Sequence, residues 1–322
     1  MRYLLVLLLI VLGSSAGRPS QPSANRRPNI ILLLADDLGY GDLGCYRNTS
    51  GGRCLQRTPH LDSMAAAGLR LTHYYAGSSV CSPSRAALLT GCYPMRVDVA
   101  VNERPEAAAG RQVFFPASTK GLNPAEITLA EGLREAGYAT ACIGKWHLGD
   151  QPFFLPTRQG FDYWFGTPYS NDMNTADCPL PLMRNETLLE QNPDQSLLTR
   201  RYTEEALRFM TAHRSQPFFL YLPYNMVHHP LHASEPFRGR SGNGAYGDAV
   251  EEVDWSVGRI RSFLRENKID NETLIIFTSD NGAARKHGGS NLPLPGWKGT
   301  TAEGGFRVPC LVSWPGHIQK GR

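Results

Sequence analysis

The sequence predicts an α/β fold, a parallel sheet with helices on both faces. Three observations carry this. Short, near-continuous apolar runs, the pattern of strands buried on both sides, alternate with segments of helical periodicity. The chain has 322 residues, 41% of them hydrophobic and 19% charged, so it is long enough to bury a large core. Polar residues collect where the predicted strands end, as they do in open sheets that bind ligands at the carboxyl edge.

In chain order, residues 29–35 form the first apolar run and a buried strand. Residues 61–67 and 127–136 have helical character, and each stops at a glycine, Gly68 and Gly137. Residues 84–90 start a helix, with Pro83 suited to its first turn. Residues 139–143 are a short strand. Residues 197–213 are a helix with Leu198, Tyr202, Leu207, Phe209 and Met210 on its apolar side. Residues 217–222 are a strand. In 249–266, Val250, Val253, Val257, Ile260 and Leu264 recur at helical spacing. Residues 273–278 and 308–313 complete the strands. Residues 96–126 and 150–195 read as long irregular stretches, either substrate-contacting loops or surface decoration.

Composition excludes several classes. The apolar fraction is ordinary and there is no long charge run, which argues against disorder. The net charge of +4 comes from scattered Arg and Lys with no basic stripe, so no nucleic-acid partner is expected. Arg2, an apolar run over 3–12 and the small residues Gly13, Ser14, Ser15 and Ala16 read as a secretory signal peptide over residues 1–16. The alternative is an uncleaved anchor. Residues 17–28 read as a flexible leader, and the domain proper spans 29–322. An exported chain meets conditions in which disulfides form. It would be periplasmic or secreted in a bacterium, lysosomal or extracellular in a eukaryote. In the latter case Asn48, Asn185 and Asn271 lie in glycosylation patterns.

The strand ends hold the chemistry. The first strand runs into Asp36 and Asp37, the strand at 139–143 into Lys145 and His147, the strand at 217–222 towards His228 and His229, and the strand at 273–278 into Asp280 and Asn281. Each alone reads as a cap, a turn or a surface residue. Together they describe a site. Asp36, Asp37, Asp280 and Asn281 offer hard oxygen donors, which suit Ca²⁺ or Mg²⁺; the histidines leave a zinc site as second choice. Cys81 falls at or just before a helix N-terminus, where an anion is favoured. It is either a thiolate nucleophile or half of a disulfide. The other six cysteines, Cys45, Cys54, Cys92, Cys142, Cys178 and Cys310, can pair among themselves in ways the sequence does not fix.

The segment Cys81-Ser82-Pro83-Ser84-Arg85, continuing to Gly91, resembles the Cys-x-Pro-Ser-Arg signature of type I sulfatases. Four more segments resemble that family in the family's order: 29–44 with Asp36-Asp37, 144–149 with Lys145-Trp146-His147, 277–282 with Asp280-Asn281, and 296–305 with Lys298. Within the family the chain is most similar to the arylsulfatase A and N-acetylgalactosamine-6-sulfatase group. The resemblance implies an alkaline-phosphatase-like α/β sandwich, with a mostly parallel central sheet, that hydrolyses sulfuric esters of carbohydrates or aryl alcohols. It implies that Cys81 is oxidised to formylglycine by a formylglycine-generating enzyme that recognises Pro83 and Arg85. The hydrated aldehyde then has one hydroxyl to attack sulfur and a second to expel sulfate.

The same resemblance implies the remaining roles. Asp36, Asp37, Asp280 and Asn281 bind Ca²⁺, ahead of Mg²⁺, with residue 81 completing the shell. Arg85 stabilises the hydrate, and Asp280 helps activate its attacking hydroxyl. Lys145 and Lys298 grip sulfate oxygens. His147 takes the proton from the second hydroxyl. His228, preferred to His229 because it lies two residues before Pro230, protonates the leaving oxygen. Ser170 faces the sulfate pocket. Two rivals stand beside this reading: a phosphodiester or phosphonate monoester hydrolase of the same superfamily, and a non-catalytic binder of sulfated glycans. Family members continue past residue 316 into more of the main domain and a smaller antiparallel domain. The expectation is therefore a C-terminally incomplete chain that is poorly stable or inactive alone. The sequence assigns neither the natural substrate nor an oligomeric state.

Overall fold

The computed structural model describes residues 27–47, 54–99 and 113–321. Nine strands among them form one sheet: β1 Asn29–Ala35, β2 Leu69–Leu71, β3 Ala139–Lys145, β4 Tyr163–Thr167, β5 Pro181–Arg184, β6 Thr187–Gln191, β7 Phe218–Pro223, β8 Thr273–Ser279 and β9 Cys310–Ser313. The helices are α1 Pro59–Ala67, α2 Cys81–Thr90, α3 Leu129–Glu135, α4 Leu198–His213, α5 Gly244–Glu266 and the short α6 Glu303–Phe306. The strand order is β2-β9-β8-β1-β7-β3-β4-β5-β6.

The five central strands, from β8 to β4, are parallel. Alternate side chains of β1 feed two cores. Ile31, Leu33 and Ala35 pack with α1, α4 and α5 on one face, while Leu32 and Leu34 pack with Ala86 and Leu89 of α2 and Ala130 of α3 on the other. Each buried Ile or Leu among these stabilises the fold by about 1.5–3 kcal/mol. That two-sided burial explains why the central strands read as unbroken apolar runs.

The edges depart from the expected parallel sheet. β9 pairs antiparallel with both β8 and β2, and the β4–β5–β6 edge is antiparallel throughout. An apolar run does not encode strand direction, so the run at 308–313 could not reveal this, and its strand begins only at Cys310. Residues 150–195, read as irregular, contain three strands. β4 is a buried but five-residue run, whereas β5 and β6 are short and β6, which carries Glu190, is largely exposed. None of the seven cysteines is in a disulfide. The pairing that the sequence left open for the other six does not occur; Cys54 instead donates to the carbonyls of Asp42 and Gln56. No helix of the described residues is long and apolar enough to cross a membrane. The signal peptide, residues 17–26 of the leader, Asn48 and part of the 96–126 stretch lie outside the described residues.

Candidate active site

The parallel strands end together, and their loops are tied to one another by backbone bonds. The Asp36 N–H donates to the Met226 carbonyl (3.2 Å), and the Val227 N–H donates to that of Asp36 (2.8 Å). The Asp37 N–H donates to Asp280 Oδ1 (3.2 Å). Two of the residues leaving these strands, Asp37 and His147, have φ of 62°, a left-handed conformation that non-glycine residues seldom adopt and that concentrates at functional sites. Just before Lys145, Gly144 has φ 131°, and a Cβ there would lie 1.8 Å from the Pro223 carbonyl oxygen. Only glycine lets β3 and β7 approach at that point.

The Cys-x-Pro-Ser-Arg spacing has a direct consequence. Cys81 opens α2 and Arg85 follows one turn later, so both project from one face of the helix. Pro83 occupies the first turn, where a missing N–H costs no helical bond. Cys81 Sγ lies 3.4 Å from Asp36 Oδ1 and 3.4 Å from Lys298 Nζ. Arg85 is fully buried. Its Nε and Nη2 donate to Asp280 Oδ2 at 3.0 and 2.9 Å, and its Nη1 donates to the Lys145 carbonyl at 2.8 Å.

Two lysines complete the floor. Lys145 Nζ donates to Asp36 Oδ2 and to Ser170 Oγ (3.1 Å). Lys298 Nζ lies 2.7 and 2.8 Å from the two oxygens of Asp37. Lys145 is buried, whereas the Lys298 side chain keeps 19% exposure. Asp36, Asp37 and Asp280 therefore face Arg85, Lys145 and Lys298, three carboxylates against three cations.

The donor set suits a hard divalent cation. Carboxylate oxygens of Asp36 and Asp37 lie with Cys81 Sγ and a His228 nitrogen inside a 4.8 Å cluster. Asn281 donates its Nδ2 to Asp37 Oδ1 (2.7 Å), which leaves Asn281 Oδ1 buried with no hydrogen-bond donor. A buried amide oxygen without a partner is costly. Beside carboxylates it is the ligand type that Ca²⁺ and Mg²⁺ take.

Burial sets the protonation states. Burial would raise the carboxyl of Asp36, but Lys145 and Arg85 outweigh it and hold the group well below the usual carboxylate range. Burial, then the charge of Asp36, lifts Asp280 to about 6. Burial, then Asp280 and Asp36, drive the Cys81 thiol well above its ordinary value. This environment does not make a thiolate, despite the helix N-terminus. His147 Nε2 donates to the Phe114 carbonyl (3.0 Å), so its Nδ1 is a buried, unpartnered acceptor. Burial and the nearby Lys145 keep this ring neutral by lowering its pKa well below the usual value.

His228 and His229 go to different places. His228 is buried, with Nε2 3.7 Å from Asp37 Oδ2 and Nδ1 2.5 Å from the His229 carbonyl. Burial lowers its pKa to about 4. The His229 side chain is 41% exposed and stacks between His228 and His287, with ring centroids 4.6 and 4.2 Å apart. The structure thus gathers Asp36, Asp37, Cys81, Arg85, Lys145, His147, Ser170, His228, Asp280, Asn281 and Lys298 around one strand edge. Asp172 and His287 went unassigned in the sequence. Asp172 lies 4.0 Å from His228 Nδ1 and 3.8 Å from His229 Nε2. Its position two residues after Ser170 was the available signal; His287 had none.

Several known proteins are similar to this chain over most or all of its length. N-acetylgalactosamine-6-sulfatase of Canis lupus familiaris is 43% identical, covering 100% of this chain and 62% of that protein. Human arylsulfatase A is 40% identical, covering 98% and 63%. The chain thus spans somewhat under two thirds of the length of these curated relatives. The crystal structure of Ps i-CgsB in complex with k-i-k-neocarrahexaose matches with a TM-score of 0.78 at 33% identity, covering 92% of this chain and 68% of that one. The family pattern described as Sulfatase matches residues 28–322, and the chain belongs to the sulfatase family.

Proposed function

We propose that the protein hydrolyses sulfuric esters of carbohydrates or aryl alcohols and releases inorganic sulfate. The observation that carries this is the setting of Cys81. It is a buried, protonated thiol on the first turn of α2, placed between Asp36 and Lys298 and one helical turn from Arg85. Such a thiol is a poor nucleophile as it stands, and the surrounding segment is the one that resembles the formylglycine signature. The reading is that a maturation enzyme converts Cys81 to formylglycine. Residue 81 then supplies two oxygens on one carbon, one to attack sulfur and one to expel sulfate.

Asp36, Asp37, Asp280 and Asn281 would hold Ca²⁺, which when bound would supply Lewis acidity. Three carboxylates face three cations on this floor, so a bound divalent cation would give it excess positive charge, which suits a sulfate ester. Lys145, steadied by Ser170, and Lys298 bind sulfate oxygens and neutralise charge as it builds up. Arg85 fixes Asp280 and the turn that carries residue 81. His147 accepts a proton at Nδ1, the nitrogen left free by the Phe114 carbonyl. His228, whose Nδ1 donates to the His229 carbonyl, protonates the departing alcohol oxygen from Nε2 once that nitrogen has taken up a proton, a form that the neighbouring Asp37 charge favours.

Turnover of an aryl sulfate and an aryl phosphate diester, measured side by side, tests the reaction class. The sulfate is expected to be the preferred substrate. A clear preference for the phosphate diester would reassign the site to the phosphodiester hydrolases of the superfamily.

A further inference from the structure

The loop over residues 284–290 has a charge pattern that the sulfate site does not use. Its base is closed by Asn291, whose Oδ1 accepts from the Ala283 N–H (2.8 Å) and whose Nδ2 donates to the Ala283 carbonyl (3.1 Å). The same carbonyl accepts from the Lys298 N–H (3.1 Å), so this loop and the sulfate lysine share one anchor. The far side is pinned by Asn243 Nδ2 to the Gly288 carbonyl (3.0 Å) and by the Ser290 N–H to Asp42 Oδ1 (2.9 Å). Between these pins His287 stacks on His229, which stacks on His228, in a row of imidazoles from the buried floor to the surface.

Arg285 and Lys286 stand beside His287 on this loop. Both are exposed, and neither has an ion-pair partner among the described residues. Elsewhere on the surface, several exposed arginines are paired, such as Arg158 with Glu186 and Arg200 with Glu204. A pinned loop that holds unpaired cations at the end of an imidazole row beside an anion site is built to meet another anion.

We propose that Arg285, Lys286 and His287, with His229 beneath, form a rim subsite for a second anionic group on the glycan whose scissile sulfate occupies the floor. That group is a sulfate or carboxylate on the same sugar or its neighbour. The inference rests on the sulfatase reading and narrows its substrate class to polyanionic glycans. Two ring spacings separate His228 from His287, which is the scale of a sugar ring and its substituents.

The test compares three probes: p-nitrophenyl sulfate, a monosulfated galactosamine-type disaccharide, and the same disaccharide with a second sulfate. The double variant Arg285→Ala/Lys286→Ala is expected to keep kcat/KM for p-nitrophenyl sulfate within about twofold, because neither side chain touches the floor. Its kcat/KM for the disulfated sugar is expected to fall about tenfold or more, mainly through KM, as for one lost charge-assisted contact. The loss should shrink at high salt. Equal effects on all three probes, or none on the disulfated sugar, would overturn the rim assignment. Titration of binding separates the two claims. If the wild-type protein hydrolyses none of the probes, the sulfatase reading fails. The rim then stands only if the wild type still binds the disulfated sugar more tightly than the monosulfated one and the double variant does not.

Discussion

The floor and the rim of the site are built differently. Floor residues Asp36, Asp37, Cys81, Arg85, Lys145, Asp280 and Asn281 are all nearly or fully buried, sit at strand ends or on the first turns of α2, and are bonded to one another. Rim residues Arg285, Lys286, His287 and His229 ride on loops, are partly or fully exposed, and owe their places to distant pins such as Asn291 and Asp42. The difference teaches that chemistry is fixed where backbone geometry is fixed, and selectivity is left to surfaces that can vary. Changes to the floor should destroy activity or stability. Changes to the rim should only redistribute it among substrates.

The sharpest break is at residue 81. Cys81→Ser should lower aryl sulfate turnover by about a thousandfold or more, as for removal of a nucleophile, with an unchanged circular dichroism spectrum. Near-normal activity would show that the second oxygen on residue 81 is unnecessary. Next is Arg85→Ala, which leaves the buried Asp280 and Asp36 short of a partner. It should cost about 3–5 kcal/mol of stability, seen as a large fall in Tm. A surface-like loss below about 1 kcal/mol would contradict the buried fork.

A chelator should then lower Tm by several degrees and abolish turnover, with Ca²⁺ restoring both. Asn281→Ala should raise the Ca²⁺ concentration needed for recovery. An unchanged requirement would remove the orphan amide oxygen from the ligand set.

A smaller effect comes from two carboxyls away from the reacting groups. Burial lifts both Asp42 and Asp254 to about 7, against hydrogen bonds from Tyr246 and Ser290 in the first case and from the Leu61 and His60 N–H groups in the second. In an unfolded chain both titrate near 4. Between these values the folded state holds more protons, so stability declines as pH rises from about 4 to about 7. Asp36, held low, is ionised in both states from about pH 5 upward and adds no slope there. His147 and His228, whose folded pKa values are lowered, add the opposite slope, so the carboxyl's share is read by difference: the Tm of Asp254→Asn should gain on that of the wild type as pH rises from 5 to 7.5. A Tm difference between variant and wild type that stays constant over this range would refute the assignment. The rim variants carry the smallest expected effect, confined to multiply charged sugars.

The sequence was most legible where periodicity and motif coincided. The runs at 29–35 and 273–278 showed as strands because both their faces are buried, and Asp36 and Asp280 follow from where those strands end. The Cys81–Arg85 pair could be read because a one-turn spacing has a single geometric outcome on a helix. The β5–β6 hairpin was hidden, since Met183 and Arg184 turn through Asn185 into Thr187 with no apolar run. The rim was hidden for another reason. His287 reaches His229 only after Asn291 closes the loop on Ala283, a tertiary bond that leaves no local pattern. The cysteines illustrate the same limit, as their number allowed pairings that the fold does not bring together.

The most direct test of the central claim is the mass of the peptide spanning residue 81, taken from protein made in cells that carry the maturation enzyme. The account predicts an aldehyde in place of the thiol-bearing methylene group, together with aryl sulfate turnover in the same preparation. An unmodified Cys81 in protein that still hydrolyses the sulfate ester would contradict it.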